Sequence, residues 1–255
     1  MRAAAVAFDA LAKNAPVYDW MHEQLERAKE ANASLIVFPA LVGNLFKSEA
    51  DFIEKTFSLS ERFPDICICP GSFFETAGGR TYHTSFVVHG GKRLWKQRQL
   101  YLAKWERKRQ LSRGNELVVF EMHGVKTAII LNTDVFYPQV ARFAAMQGVT
   151  IVLSPLSLIK PASFAKQLSG LWQNVQQNLF FAIESAFNGS FMDASFHGKT
   201  IIHAPLELNE RQNGIVKMTD DGLIMHDLPL GKLDRAKRLY NPIRQLNIPA
   251  YRKLF

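Results

Sequence analysis

At 255 residues the chain has the length of one domain that buries most of its apolar surface. Its 47% hydrophobic and 21% charged residues are ordinary for a soluble globular protein, and the longest apolar runs, such as Leu35 to Phe38, are far too short to span a bilayer. The formal charge of +8 is concentrated. Lys92, Arg93, Lys96, Arg98, Lys104, Arg107, Lys108, Arg109 and Arg113 are countered in their stretch only by Glu106, with Trp95, Tyr101 and Trp105 interleaved. A second basic cluster is Lys232, Arg235, Lys237 and Arg238.

In chain order, Arg2 to Phe8 predicts a first strand. Asp9 interrupts the apolar start too early for a signal peptide, which places the protein in the cytoplasm. Tyr18 to Ala33 carries Met21, Leu25 and Ala28 at helical spacing, and Ser34 to Pro39 has the continuous apolar run of a buried central strand. A helix is expected over Ala50 to Phe63. Strands are expected over Ile66 to Glu75, Tyr82 to Val88 and Leu94 to Gln97, with turns at Thr76 to Arg80 and His89 to Lys92. Leu117 to Met122 and Val125 to Leu131 form a hairpin around His123 and Gly124. Helices over Pro138 to Gln147 and Phe164 to Asn178 alternate with strands over Thr150 to Leu153, Leu179 to Ala186, Thr200 to His203 and Gly214 to Met218. Residues 1–240 form the domain. Asn241 to Phe255, with Pro242 and Pro249, is expected to be an irregular tail. Mixed elements with hairpins among them predict a single-domain α/β sandwich.

Cys67 and Cys69 are the only cysteines and share one face of a strand, the arrangement of core residues. No His/Cys/Asp spacing suggests a metal, and no glycine pattern suggests a phosphate-binding loop or cofactor.

Several segments, in order, carry a resemblance. Ala33 to Ala40 reads ASLIVFPA, Trp95 to Leu100 reads WKQRQL, and Thr127 to Pro138 reads TAIILNTDVFYP. Gly71-Ser72, Tyr82 to Val88, Gly148 to Pro155 and Gly198 to Pro205 lie between and after them. The series resembles the nitrilase, or carbon-nitrogen hydrolase, superfamily. That resemblance implies an α-β-β-α sandwich, and a cysteine nucleophile, a glutamate base and a lysine that steadies the negative intermediate. Here Asn132 stands at the cysteine position, Ala40 at the glutamate and Gln97 at the lysine. Lys96 is adjacent, but one residue along a strand points to the opposite face. Gln139 and Gln176 also stand where the family has acids, while Glu106 and Asp134 remain.

The implied pocket comprises Glu106, Thr133, Asp134, Tyr137, Ser154 and Gln176, with Lys96, Arg98, Lys104, Arg107, Lys108 and Arg109 as a basic rim. The leading expectation is a pseudoenzyme that binds a small amide or carboxylate or acts as a regulatory module. A second is an active carbon-nitrogen hydrolase with relocated residues, for which Thr133, Ser154, Ser157 and the histidines are candidates. A third is anion or nucleic-acid binding through segment 92–113, its aromatics stacking on bases. The resemblance also implies a homodimer or larger homo-oligomer, with Phe164 to Asn178 and the tail as candidate interface. No cofactor and no membrane association are expected.

Overall fold

The computed structural model describes residues 1–10, 16–209, 212–240 and 242–252. Its first half runs from strand β1 (Arg2–Asp9) through helix α1 (Val17–Glu30), strand β2 (Leu35–Val37) and helix α2 (Glu49–Arg62). Strands β3 (Cys67–Cys69), β4 (Ser72–Ala77), β5 (Arg80–His89) and β6 (Lys92–Arg98) follow, then the short helix α3 (Lys104–Lys108). The second half repeats the pattern with strands β7 (Val119–Met122) and β8 (Val125–Ile129), helix α4 (Pro138–Met146), strand β9 (Ile151–Leu156), and helices α5 (Phe164–Leu168) and α6 (Leu171–Asn178). It continues through strands β10 (Phe181–Phe191), β11 (Ala194–Phe196), β12 (Thr200–His203), β13 (Ile215–Thr219) and β14 (Gly222–Asp227) to helices α7 (Leu230–Leu239) and α8 (Ile248–Arg252).

Two parallel cores organise the strands. β1, β2 and β3 pair parallel in one sheet, and β8, β9 and β10 pair parallel in the other. The two join at a corner where Phe8 and Asp9 pair with Phe187 and Asn188. Antiparallel strands extend each core: β14 on β1, β5 with β4 and β6 beyond β3, β7 on β8 and β12 on β10.

Strand periodicity sorts the side chains into layers. Ala4, Val6, Ile36 and Phe38 pack under Trp20, Met21 and Leu25 of α1 and Phe52 and Leu59 of α2. Their strand neighbours Ala3, Ala5, Leu35 and Val37 face inward against Ile129, Ile151, Leu153, Phe181 and Ile183 of the opposite sheet. Ala128, Val152 and Ala182 face outward to Val140 and Ala144 of α4 and Leu171 and Val175 of α6. The chain is thus a single-domain α-β-β-α sandwich. Parallel strands covered on both faces require near-continuous apolar runs, and 35–38 and 128–131 supply them.

Several expected elements differ. The strand expected over Ile66 to Glu75 breaks between β3 and β4 because Pro70 has no amide hydrogen to donate and Gly71 takes φ +92°. The helix expected over Phe164 to Asn178 splits at Gly170, whose φ of −92° and ψ of −108° are not helical. A Cβ there would lie 2.9 Å from Val135 and 3.0 Å from Phe136, so the chain needs glycine at this crossing. The tail contains α8 rather than being wholly irregular, while Asn241 and residues 253–255 lie outside the described residues. β14 and α7 have no counterpart among the predicted elements. Among the described residues no helix is long and apolar enough to cross a membrane.

At Gly71 a Cβ would collide with the Pro39 carbonyl, and the left-handed φ disfavours any L side chain. Gly71→Ala should therefore cost more than about 2 kcal/mol of unfolding free energy, read by urea denaturation.

Candidate active site

Ala40 follows β2, Asn132 follows β8 and Ser157 follows β9, so all three lie at the carboxyl ends of parallel strands, where open α/β sheets place their sites. The backbone is unusual at that edge. Leu41 takes φ +65° and Asn132 takes φ +50°, both left-handed. Asparagine tolerates that region better than most residues, since its short polar side chain bonds locally. Strained positions of this kind persist only when their surroundings fix them.

The surroundings centre on the fully buried Glu106. One carboxylate oxygen is 2.7 Å from His83 Nδ1 and accepts from Asn132 Nδ2 at 3.1 Å. The other accepts from Gln99 Nε2 at 2.8 Å and from the Ala103 amide at 2.6 Å. Beyond His83, Nε2 meets Ser72 Oγ at 2.6 Å, and the same hydroxyl accepts the Leu41 amide at 2.9 Å. Beyond Asn132, its Oδ1 accepts the Ser157 amide at 2.9 Å and the Ser157 hydroxyl at 3.0 Å. One chain of bonds therefore runs from Leu41 through Ser72, His83, Glu106 and Asn132 to Ser157. Burial raises the Glu106 pKa, but the His83 bond and charge, with the Ala103 and Gln99 bonds, outweigh it and hold the carboxyl below its usual range.

The three residues expected at the base, lysine and nucleophile positions are closed to solvent: Ala40 is 0% exposed, Gln97 2% and Asn132 1%. Gln97 turns away from Glu106. Its Nε2 donates to the carbonyls of Arg98 at 2.7 Å and Glu116 at 2.8 Å, and its Oε1 accepts the Val118 amide at 2.8 Å. Gln99, two residues along the strand direction, supplies the amide that reaches Glu106. Sequence reasoning missed Gln99 and His83 as partners of Glu106, and Ser72 as the partner of His83. The signal was strand register: Ser72 pairs with Ser85, and His83 lies two residues from Ser85 on the same face.

The other expected pocket residues do not converge. Thr133 is half-buried and stands outside this chain of bonds. Tyr137 stacks on Tyr101, ring centroids 3.7 Å apart. Ser154 pairs with Glu184 in the β9–β10 register and shares the outward face of Val152, away from the sandwich interior. Gln176 is bonded to the 204–206 segment through the Ala204 carbonyl and the Leu206 amide. A cavity of about 700 Å³ opens beside Leu100, Tyr101, Arg113, Glu116, Gln139 and Phe143, and none of Ala40, Gln97, Glu106 or Asn132 lines it.

The basic rim is divided. Lys96 and Arg98 sit on the opposite face of β6 from Gln97 and both bind Glu75, at 2.5 Å and 2.9 Å. Burial pushes Glu75 up, but Arg98, Lys96 and Thr84 together hold it at about 2. Arg109 pairs with Asp193, and Arg107 donates to the Leu102 carbonyl at 2.5 Å. Lys104, Arg107 and Lys108 are exposed. Each interleaved aromatic packs on a protein ring: Trp95 on Phe120, Tyr101 on Tyr137 and Trp105 on Phe196.

The model of the carbon-nitrogen hydrolase family matches residues 2–206. The chain belongs to the carbon-nitrogen hydrolase family. Among relatives of this hydrolase-fold chain, a probable hydrolase YhcX of Bacillus subtilis is 25% identical over 206 residues, covering 77% of this chain and 39% of that protein. A glutamine-dependent NAD(+) synthetase of Acinetobacter baylyi is also 25% identical, over 72% of this chain and 38% of its own length. The chain thus spans about two fifths of these two relatives. A nitrilase of Pyrococcus abyssi is 22% identical over 74% of this chain and 75% of its own. The fold matches a mutant structure of an amidase of Nesterenkonia AN1 from the nitrilase superfamily, with a TM-score of 0.82 at 18% identity over 100% of this chain and 97% of that one.

Within this carbon-nitrogen hydrolase fold, Asp134 holds the loop that follows β6. Its carboxyl accepts the amides of Leu100 at 3.0 Å and Tyr101 at 2.7 Å. Burial, opposed by those two amides and aided by the Glu106 charge, pushes its pKa up to about 8. Folding therefore favours the protonated acid. Its stabilisation is complete below the unfolded value of 3.8 and is lost as pH rises through about 8. Between those limits the wild type should lose unfolding free energy on the order of a few kcal/mol relative to Asp134→Asn, measured by urea denaturation at each pH. Parallel pH curves for the two proteins would contradict this.

Proposed function

We propose that this member of the carbon-nitrogen hydrolase family is a pseudoenzyme: a ligand-binding or regulatory module for a small amide or carboxylate. The observation that carries the reading is Asn132. Its carboxamide sits at the left-handed turn after β8 and is held at both ends, by Glu106 and Ser157. A carboxamide is a poor nucleophile, and one bonded at both its nitrogen and its oxygen has no reason to attack. Ala40 adds no titratable group and Gln97 no charge, so base and cationic stabiliser are missing with the nucleophile. A mutant of the Nesterenkonia amidase, by contrast, shows covalent addition of the acetamide moiety of fluoroacetamide at its active-site cysteine. A small amide is the ligand class that this relationship suggests.

One geometry favours a second reading, an active hydrolase with relocated residues. Ser72, His83 and Glu106 form a hydroxyl–imidazole–carboxylate relay with links of 2.6 Å and 2.7 Å. In such a relay Ser72 Oγ would attack an amide carbon, passing its proton to His83 Nε2. That proton would leave with the amine, and water would then free the acid and restore the serine. Against it, Ser72 and His83 are fully buried, and the Ser72 hydroxyl already accepts the Leu41 amide.

Ammonia release from a panel of amides and nitriles separates the readings. The native protein should stay at the blank rate, while Ala40→Glu/Gln97→Lys/Asn132→Cys should exceed it by several powers of ten. Native turnover that Ser72→Ala abolishes would overturn the pseudoenzyme in favour of the serine relay.

A further inference from the structure

We propose that Cys67, His89 and His123 form a binding site for a transition-metal dication of the zinc type. It lies at the end of the sandwich opposite Asn132. Cys67 opens β3, His89 closes the antiparallel β5 beside it, and His123 occupies the turn between β7 and β8. The three side chains each offer one ligand atom, and these atoms all lie within 4.8 Å of one another. Cys67 Sγ is 3.2 Å from His123 Nε2, and the two imidazoles meet edge to face with centroids 5.6 Å apart.

The donor set suits the ion. Thiolate and imidazole are the ligands zinc favours, and a tetrahedral site holds such atoms roughly 3.5 Å apart. The Cys67–His123 pair already meets that separation. His89 is half-buried and His123 exposed, so their rings can close the remaining distance while β3 fixes the sulfur. The exposed side of His123 leaves a fourth position for water, as three-ligand zinc sites do.

The turn geometry places His123 for this task. His123 and Gly124 both take positive φ, +49° and +73°, the pattern of a two-residue hairpin turn that usually carries Asn-Gly. Histidine at the first position sends an imidazole from the β7–β8 sheet across to the β3–β5 sheet. Cys67 is a free, buried thiol whose S–H lies beside His123 Nε2. Metal binding would release that proton and convert a weak S–H contact into a bond between the two sheets. The site is therefore a clip on the sandwich rather than part of the Glu106 cluster, and it does not depend on how that cluster functions.

The test titrates chelator-treated protein with Zn²⁺ and with Co²⁺, followed by calorimetry and absorption. One equivalent should bind, Co²⁺ should give a sulfur-to-metal charge-transfer band, and saturating Zn²⁺ should raise the thermal midpoint by several degrees. Cys67→Ser should abolish the band. His123→Asn, which suits the turn and preserves the fold, should weaken affinity about tenfold or more. No saturable one-to-one binding, or binding and a band that survive both substitutions, would overturn the proposal.

Discussion

A carboxylate removed from water needs compensation from every direction, and Glu106 receives it from four donors on separate segments. His83 comes from β5, Gln99 and Ala103 from the chain leading out of β6 into α3, and Asn132 from the turn after β8. β5 belongs to one sheet and β8 to the other, so this one group ties the two halves of the sandwich at the edge where the parallel strands end. The same bonds hold Asn132 in its left-handed conformation and, through Ser72, reach the Leu41 turn after β2.

The turns after β2 and β8, the buried Glu106 and the buried Asp134 lie along one edge of this carbon-nitrogen hydrolase fold. The groups that occupy the edge are bonded to one another instead of facing open space. Gln97 illustrates the consequence: all of its polar atoms serve backbone groups of residues 98, 116 and 118. A lysine at that position would bring a buried charge needing a carboxylate partner. Glu106, the buried carboxylate of this cluster, is already engaged by His83, Gln99, Ala103 and Asn132.

Much of this was legible in the sequence because it rests on short-range periodicity. Apolar runs at 35–38 and 128–131 located the central strands. Period-two alternation put Lys96 on the face away from Gln97, where the structure has it bound to Glu75. What stayed hidden depends on contacts between distant segments. Ser154 lies within a matched segment and Gln176 at a position the resemblance assigns to an acid, yet strand facing and the 204–206 segment send them elsewhere. Gln99, Ser72 and His83 have ordinary roles locally and meet only through the β4–β5–β6 register. Cys67, His89 and His123 share no spacing pattern, and only the facing of two sheets assembles them. The break at Gly170 follows from Val135 and Phe136 packing against that position, which no local propensity records.

Under the pseudoenzyme reading proposed above, Glu106 serves the architecture rather than a reaction. Glu106→Gln places an amide –NH₂ against donors that need an acceptor, with no change of volume to confuse the result. Its unfolding free energy should fall by about 3–5 kcal/mol while amide turnover stays at the blank rate in both proteins. A variant of wild-type stability that has lost an amide turnover present in the native protein would contradict the account.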